Sequence, residues 1–144
     1  KVKSLGYGLI KTHKATSPEK RLEQIYRQIS AIIISEKPDL IAIERLFFCR
    51  NVTTAMSVSE ARGVILLAAS INKTEIAEYT PMQIKEAVTG YGRADKKQVT
   101  EMVKMMLKLK EGPKIDDTAD ALGVAICASG AAKFEKKIKI EIEK

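Results

Sequence analysis

The segment Asp39-Leu40-Ile41-Ala42-Ile43-Glu44 does most to limit what this chain can fold into. A short, nearly continuous apolar run that ends in a carboxylate predicts a strand buried on both faces, the kind found in sheets covered by helices. The residues before it supply such a helix. Ser17-Pro18-Glu19 offers an N-cap side chain, a proline where a missing N–H does no harm, and an acid in the first turn. Leu22, Ile25, Tyr26, Ile29, Ile32 and Ile33 then recur at three- and four-residue spacing, which predicts one buried face ending before Pro38. An amphipathic helix feeding a buried strand points to an α/β protein. With 144 residues, 45% of them hydrophobic, one domain spanning 1–144 is expected, and it can bury roughly 68–70% of the unfolded chain's surface.

Further along, Thr53 or Thr54 can cap a helix that reaches about Ile71 and is apolar almost all round from Gly63, so that it must be sandwiched. Gly63–Ile71, with Ala68 and Ala69 allowing close approach, is therefore either a contact between two copies of the chain or a helix buried beneath the sheet. Glu75–Thr80 alternates like a strand and stops at Pro81, and a short helix over Met82–Val88 ends at Gly90-Tyr91-Gly92. Asp95–Lys110 predicts an amphipathic helix with Val99, Met102, Val103, Met106 and Leu107 on one face, stopped by Gly112-Pro113. A last helix, from about Asp116 to Lys133, carries Ala119, Leu122, Ala125 and Ile126 inward. At the two ends, Leu5–Ile10 reads as an edge or hairpin strand, and Ile138–Glu143, within a charged tail over 134–144, alternates as a final edge strand does.

Lys and Arg number 25 against 18 acidic residues, a net charge of +7 with a pI near 9.4, an excess suited to a polyanionic partner. Cys49 and Cys127 form no C-x-x-C pair, which leaves a zinc or redox motif unsupported and suits a reducing compartment. The longest apolar stretch, Gly63 to Ile71, falls well short of the ~20 residues a bilayer requires, and no signal peptide opens the sequence. A cytoplasmic protein without a membrane anchor is expected.

Three acids fall where open α/β sheets place their ligands. Glu44 should emerge at the carboxyl end of a central strand. Asp117 and Asp120, three apart at a helix start, share a face near the positive end of the helix dipole. Together they can hold Mg²⁺, which takes oxygen ligands, and two such ions about 3.5–4 Å apart activate water and stabilise the leaving oxygen in phosphodiester cleavage. Each acid also has a plainer reading, as a loop residue or a helix cap. Asp116 is the more natural N-cap, and either Asp116 or Asp117 can be the one that points inward. Asp39 precedes the strand and belongs to its opposite end.

Ile43-Glu44-Arg45-Leu46-Phe47-Phe48 followed by Asn51, Ala61-Arg62-Gly63-Val64, Gln83-Ile84-Lys85 with Val88-Thr89-Gly90, Lys96-Lys97-Gln98-Val99, and Asp117-Thr118-Ala119-Asp120-Ala121-Leu122 resemble, in order and spacing, the RuvC family of Holliday junction resolvases. The likeness runs from about Leu5 to about Ala128. It implies an RNase H-like fold, a five-stranded mixed β-sheet flanked by α-helices on both faces, and an endonuclease that acts as a homodimer on four-way junction DNA in homologous recombination and DNA repair. The implied cofactor is Mg²⁺ or Mn²⁺, two ions per site, and the implied partner is a branch-migration motor complex.

By the same resemblance Glu44 matches the second family acid, and Asp117 and Asp120 the last two, as catalytic and metal-binding residues. Phe47 matches an aromatic that stacks on bases near the crossover, Lys85 and Lys96 match basic residues important for cleavage, and Arg45 and Lys97 are further candidate DNA contacts. The family's first acid lies in an Ile-Asp-Pro-Gly segment on the opening strand, for which this sequence has no counterpart. The sequence thus reads as N-terminally incomplete, and a catalytically incomplete dimer that binds four-way junctions is the alternative expectation.

Overall fold

The computed structural model describes residues 2–45, 52–110 and 116–142, with side-chain surroundings for 2–45, 54–110 and 117–133. Its elements follow in the order α1 (Pro18–Glu36), β1 (Leu40–Glu44), α2 (Val52–Ile71), β2 (Glu75–Tyr79), α3 (Pro81–Thr89), α4 (Lys96–Leu107) and α5 (Asp116–Ile142). β1 and β2 pair in one sheet. The Arg45 N–H, just past β1, donates to the Tyr79 carbonyl at the end of β2 at 2.7 Å. The carboxyl ends therefore lie side by side and the strands run parallel, as a crossover through a helix permits. This mixture of helix and parallel strand is the α/β class expected. Two local expectations fail. β1 is half-buried along its whole length and not buried on both faces. Leu5–Ile10 belongs to no strand, and Leu5 is 90% exposed, because a strand exists only as paired backbone and no described strand pairs with it.

The chain divides into two compact units, one of Lys1–Leu9, Ala42–Leu46 and Glu78–Lys144, the other of Ile10–Ile41 and Phe47–Ala77. In the second unit α1 packs against α2. Pro18 opens α1, but the Ser17 hydroxyl turns to the Glu19 carboxylate and caps no backbone group. Ile33 is buried whereas Ile32 is 50% exposed, so Ile32 leaves the expected apolar face. The two residues are 100° apart on the helix, so one can be covered while the other faces outward.

α2 starts at Val52, which places Thr53 and Thr54 inside its first turn and not at its cap. Ala68 and Ala69 are fully buried, so they are not available as a surface contact, whereas Met56, Gly63, Leu67 and Ile71 lie on an exposed stripe. The helix is therefore not sandwiched within the chain. Its Thr54–Ile71 window is, by length and composition alone, long and apolar enough to cross a membrane, but it carries Glu60 and Arg62 at its middle, where charges in a bilayer are costly.

In the first unit α3, α4 and α5 pack on one another, and α5 is apolar on two sides. Leu122 and Ile126 join Val88, Ala94, Val99 and Val103. Val124 and Cys127 pack with Ile84, Ala42 and Tyr79. At 100° per residue, position 125 falls outside the arc these two faces cover, so Ala125 is exposed and not inward as expected. A Cβ at Gly123 would lie 3.3 Å from the Ile84 Cγ2 atom, so glycine permits the close approach of α3 and α5. α4 ends at Leu107, short of the expected Lys110, with Lys108 turning left-handed at φ 54°. α5 instead runs on to Ile142, so the alternating Ile138–Ile142 segment is helical. An existing helix extends without a new nucleus, whereas a strand needs a partner edge.

Candidate active site

Four elements bring polar side chains to one cleft of about 230 Å³, lined by Glu44, Pro81, Ile84, Lys85, Lys96, Val99 and Asp120. Glu44 arrives at the carboxyl end of β1 because the parallel pairing puts that end beside the start of α3. Two capping boxes then set the helix starts that deliver the cations. The Gln83 N–H donates to Thr80 Oγ1 at 3.2 Å while the Thr80 N–H donates to Gln83 Oε1 at 2.8 Å. Asp95 and Gln98 repeat the arrangement at 2.8 and 2.9 Å. Lys85 thus sits in the second turn of α3 and Lys96 at the first position of α4. Asp120 is presented by α5, held in place by its neighbours Ala119 and Leu122, which are buried in the core.

The electrostatics of the cleft are those of crowded like charges. Partial burial pushes the Glu44 carboxyl above the usual carboxylate range, and the negative charge of Asp120 pushes it further, against the opposing pull of Lys96 and Lys85. An acid whose pKa is raised on folding binds more protons in the native state than in the unfolded one. Stability is therefore lost as pH rises from the ordinary value of 4.5 through the raised one, and the ionised group opposes the fold at neutral pH. Glu44→Gln should accordingly raise the melting temperature at pH 7 in chelator by roughly 1–4 °C, and the difference should vanish below pH 4. Calorimetry over that pH range checks it.

The remaining expected residues are placed as follows. Asp117 is exposed in the first turn of α5 and does not line the cleft. Among the described residues no group of three or more His, Cys, Asp or Glu side chains could hold an ion. Arg45 is exposed, and its Nε lies 3.3 Å from Glu78 Oε2. Lys97 faces a separate groove on the other side of the α4 start. Phe47 lies outside the described residues. Cys127 is buried, its thiol pushed up by burial and 3.7 Å from the Gln83 carbonyl, which makes it an inert packing residue. The apolar walls Pro81, Ile84 and Val99 were not anticipated as site residues. The signal for them was present in the sequence as Thr80-x-x-Gln83 and Asp95-x-x-Gln98, two capping-box patterns that locate the helix starts.

Residues 1–128 match the family described as crossover junction endodeoxyribonuclease RuvC. The chain belongs to the RuvC family. The RuvC of Alkaliphilus metalliredigens (strain QYMF) is 50% identical over 141 residues, 98% of this chain and 86% of that protein. The RuvC of Heliobacterium modesticaldum (strain ATCC 51547 / Ice1) is 51% identical over 129 residues, 90% and 80% of the two chains. Among solved structures, Thermus thermophilus RuvC is similar with a TM-score of 0.85 at 32% identity, covering 92% of this chain and 80% of that one. The same RuvC in complex with a Holliday junction substrate gives 0.83 at 29% identity with the same coverage. The RNase H-like fold implied by the sequence resemblance is the fold of these RuvC structures.

Proposed function

We propose that this chain is a structure-selective endonuclease that resolves Holliday junctions in recombination and repair by symmetric, metal-dependent phosphodiester hydrolysis. The single observation that carries the reading is the meeting of Glu44 and Asp120 with Lys85 and Lys96 in one cleft, in a chain whose relatives are named crossover junction endodeoxyribonucleases. Two carboxylates that repel each other in a partly desolvated cleft suit a hard divalent cation, and Mg²⁺ is commonly held by one or two carboxylates together with substrate phosphate. Glu44 and Asp120 are the proposed ligands, for Mg²⁺ with Mn²⁺ as a substitute, two ions per site. Asp117, exposed in the first turn of α5, is the third proposed ligand, on the family resemblance alone. Held by these carboxylates, such ions would supply Lewis-acid polarisation of the scissile phosphate and a lowered pKa for the attacking water.

The other side chains act on the DNA itself. Lys85 and Lys96 bind the phosphate oxygens and offset the charge that builds as water attacks phosphorus. Pro81, Ile84 and Val99 thin the water around them, which strengthens these interactions. Arg45, Lys97 and Phe47 are proposed to contact flanking phosphates and bases. Lys85→Ala should lower cleavage ~10–100-fold and flatten the dependence of log K on log salt by about 1, measured by junction cleavage and by titration in rising KCl.

A labelled four-way junction with Mg²⁺ tests the proposal: paired nicks at symmetric positions are expected. A gel shift without nicks would favour the other reading, a junction-binding dimer, for which only two described carboxylates in the cleft speak. The continuous family match across 1–128 supports one RNase H-like domain over 1–144. A homodimer, cytoplasmic and served by a branch-migration motor, completes the proposal. The exposed α2 stripe of Met56, Leu67 and Ile71, with Gly63 leaving room for close approach, is its proposed contact. Leu67→Asp should convert a micromolar dimer into a monomer by light scattering.

A further inference from the structure

The groove beside the start of α4 has a use that the cleft does not explain. Tyr91 is 58% exposed, yet its backbone is held on both sides. Its N–H donates to Thr89 Oγ1 at 3.1 Å, and its carbonyl accepts from the Ala94 N–H at 3.1 Å. The Thr89 hydroxyl also lies 2.8 Å from the Lys85 carbonyl, and Gly90 supplies the left-handed φ of 75° that the turn requires. The backbone that carries the ring is thus fixed while most of the side chain faces water, so the ring is offered to a partner from a defined place in the chain.

Tyr91 borders a groove of about 440 Å³ whose lining includes Thr89, Ala94, Lys97, Gln98, Glu101 and Met102. That volume is within the range that holds small organic ligands. Lys97 and Glu101 stand one turn apart on α4, and no ion pair joins them. Lys97 directly follows Lys96, which lines the Glu44–Asp120 cleft, so the two sites flank one helix start. A polyanion seated in the cleft would therefore have the groove beside it at the same helix start.

We propose that this groove binds an unpaired nucleobase of the DNA strand leaving the cleft, stacked on Tyr91 and read at its amino group by Glu101, with Lys97 on the adjoining phosphate. The inference rests on the nuclease reading for the presence of DNA in the cleft. The chemistry of the groove selects the occupant. A stacking ring with an apolar floor suits a base, a lysine at the rim suits its phosphate, and a carboxylate repels phosphate but accepts from an exocyclic amine. Cytosine, which presents such an amine, should therefore be preferred over thymine at one position next to the cut.

The test uses the full chain and four-way junctions carrying 5-iodocytosine or 5-iodouracil at each of the three nucleotides on either side of the nick. In the uncut complex formed with Asp120→Asn protein, irradiation should crosslink one position to Tyr91 as mapped by mass spectrometry. In cleavage assays on ordinary junctions with cytosine or thymine at that position, Tyr91→Ala should lose ~5–150-fold in kcat/KM, and Tyr91→Phe should retain activity. Glu101→Gln should shrink the cytosine-over-thymine preference from roughly 5–10-fold to near unity. Crosslinks that map only elsewhere, or a Tyr91→Ala protein that cuts as the unaltered chain does, would overturn the inference while leaving the nuclease reading intact. A crosslink to Tyr91 in a protein that never cuts would support the groove and overturn the nuclease.

Discussion

Asp120→Asn should abolish paired nicking of a four-way junction, by roughly 10³-fold or more in rate, equivalent to about 4 kcal/mol of barrier. Junction affinity should stay within a few-fold of the unaltered protein, because Lys85 and Lys96 remain and the lost charge is one that repels phosphate. A second readout separates this from simple damage to the fold. Asp120 is one of the two influences that push the Glu44 carboxyl up, so in the variant the loss of stability between pH 4 and neutrality should shrink. Thermal melts in chelator at several pH values, set beside cleavage and gel-shift assays, give all three quantities. Unchanged cutting by Asp120→Asn would remove the centre of the proposed site.

Leu122→Ala should lower the stability of the fold by ~2–5 kcal/mol, a large share of the 5–15 kcal/mol typical of a domain, and reduce the melting temperature by roughly 6–15 °C. Leu122 is buried in the cluster that joins α3, α4 and α5 and stands two residues from Asp120. Cutting should therefore weaken at temperatures near the new transition and recover on cooling, which a loss of chemistry would not do. The contrasting substitution is Ala125→Ser, on the exposed side of the same helix, expected to change stability by no more than about 0.5 kcal/mol. Equal effects at 122 and 125 would mean that the two packed faces of α5 are misassigned.

Most of the element order was legible because it is written in short-range signals. The spacing of Leu22 to Ile33, the prolines at the starts of α1 and α3, and the Gly90 stop each depend on a few neighbouring residues. The errors lie where a pattern depends on partners far along the chain. Leu5–Ile10 and Ile138–Ile142 both alternate, and alternation alone supplies no neighbouring edge, so one has no strand and the other extends α5. Ala125 and Ile32 were misplaced for a related reason. A periodic stripe says that a helix has an apolar face but not how wide a neighbour covers it.

The site divides in the same way. Sequence by itself determined the chemistry on offer: a carboxylate at the end of a strand and acids at the start of a helix follow from residue type and local conformation, while Lys85 and Lys96 stood out through the family resemblance. Tertiary structure decided which of them meet. Parallel pairing of β1 with β2 and the close approach of α3 to α5 at Gly123 carry Glu44, Lys85, Lys96 and Asp120 to one cleft, while Asp117, one turn back on the same helix, faces solvent. The reason is geometric: a shift of three positions along a helix moves a side chain about 4.5 Å and turns it by about 60°. Only the packing of the helix against its neighbours determines which of the two carboxylates that step carries into the cleft.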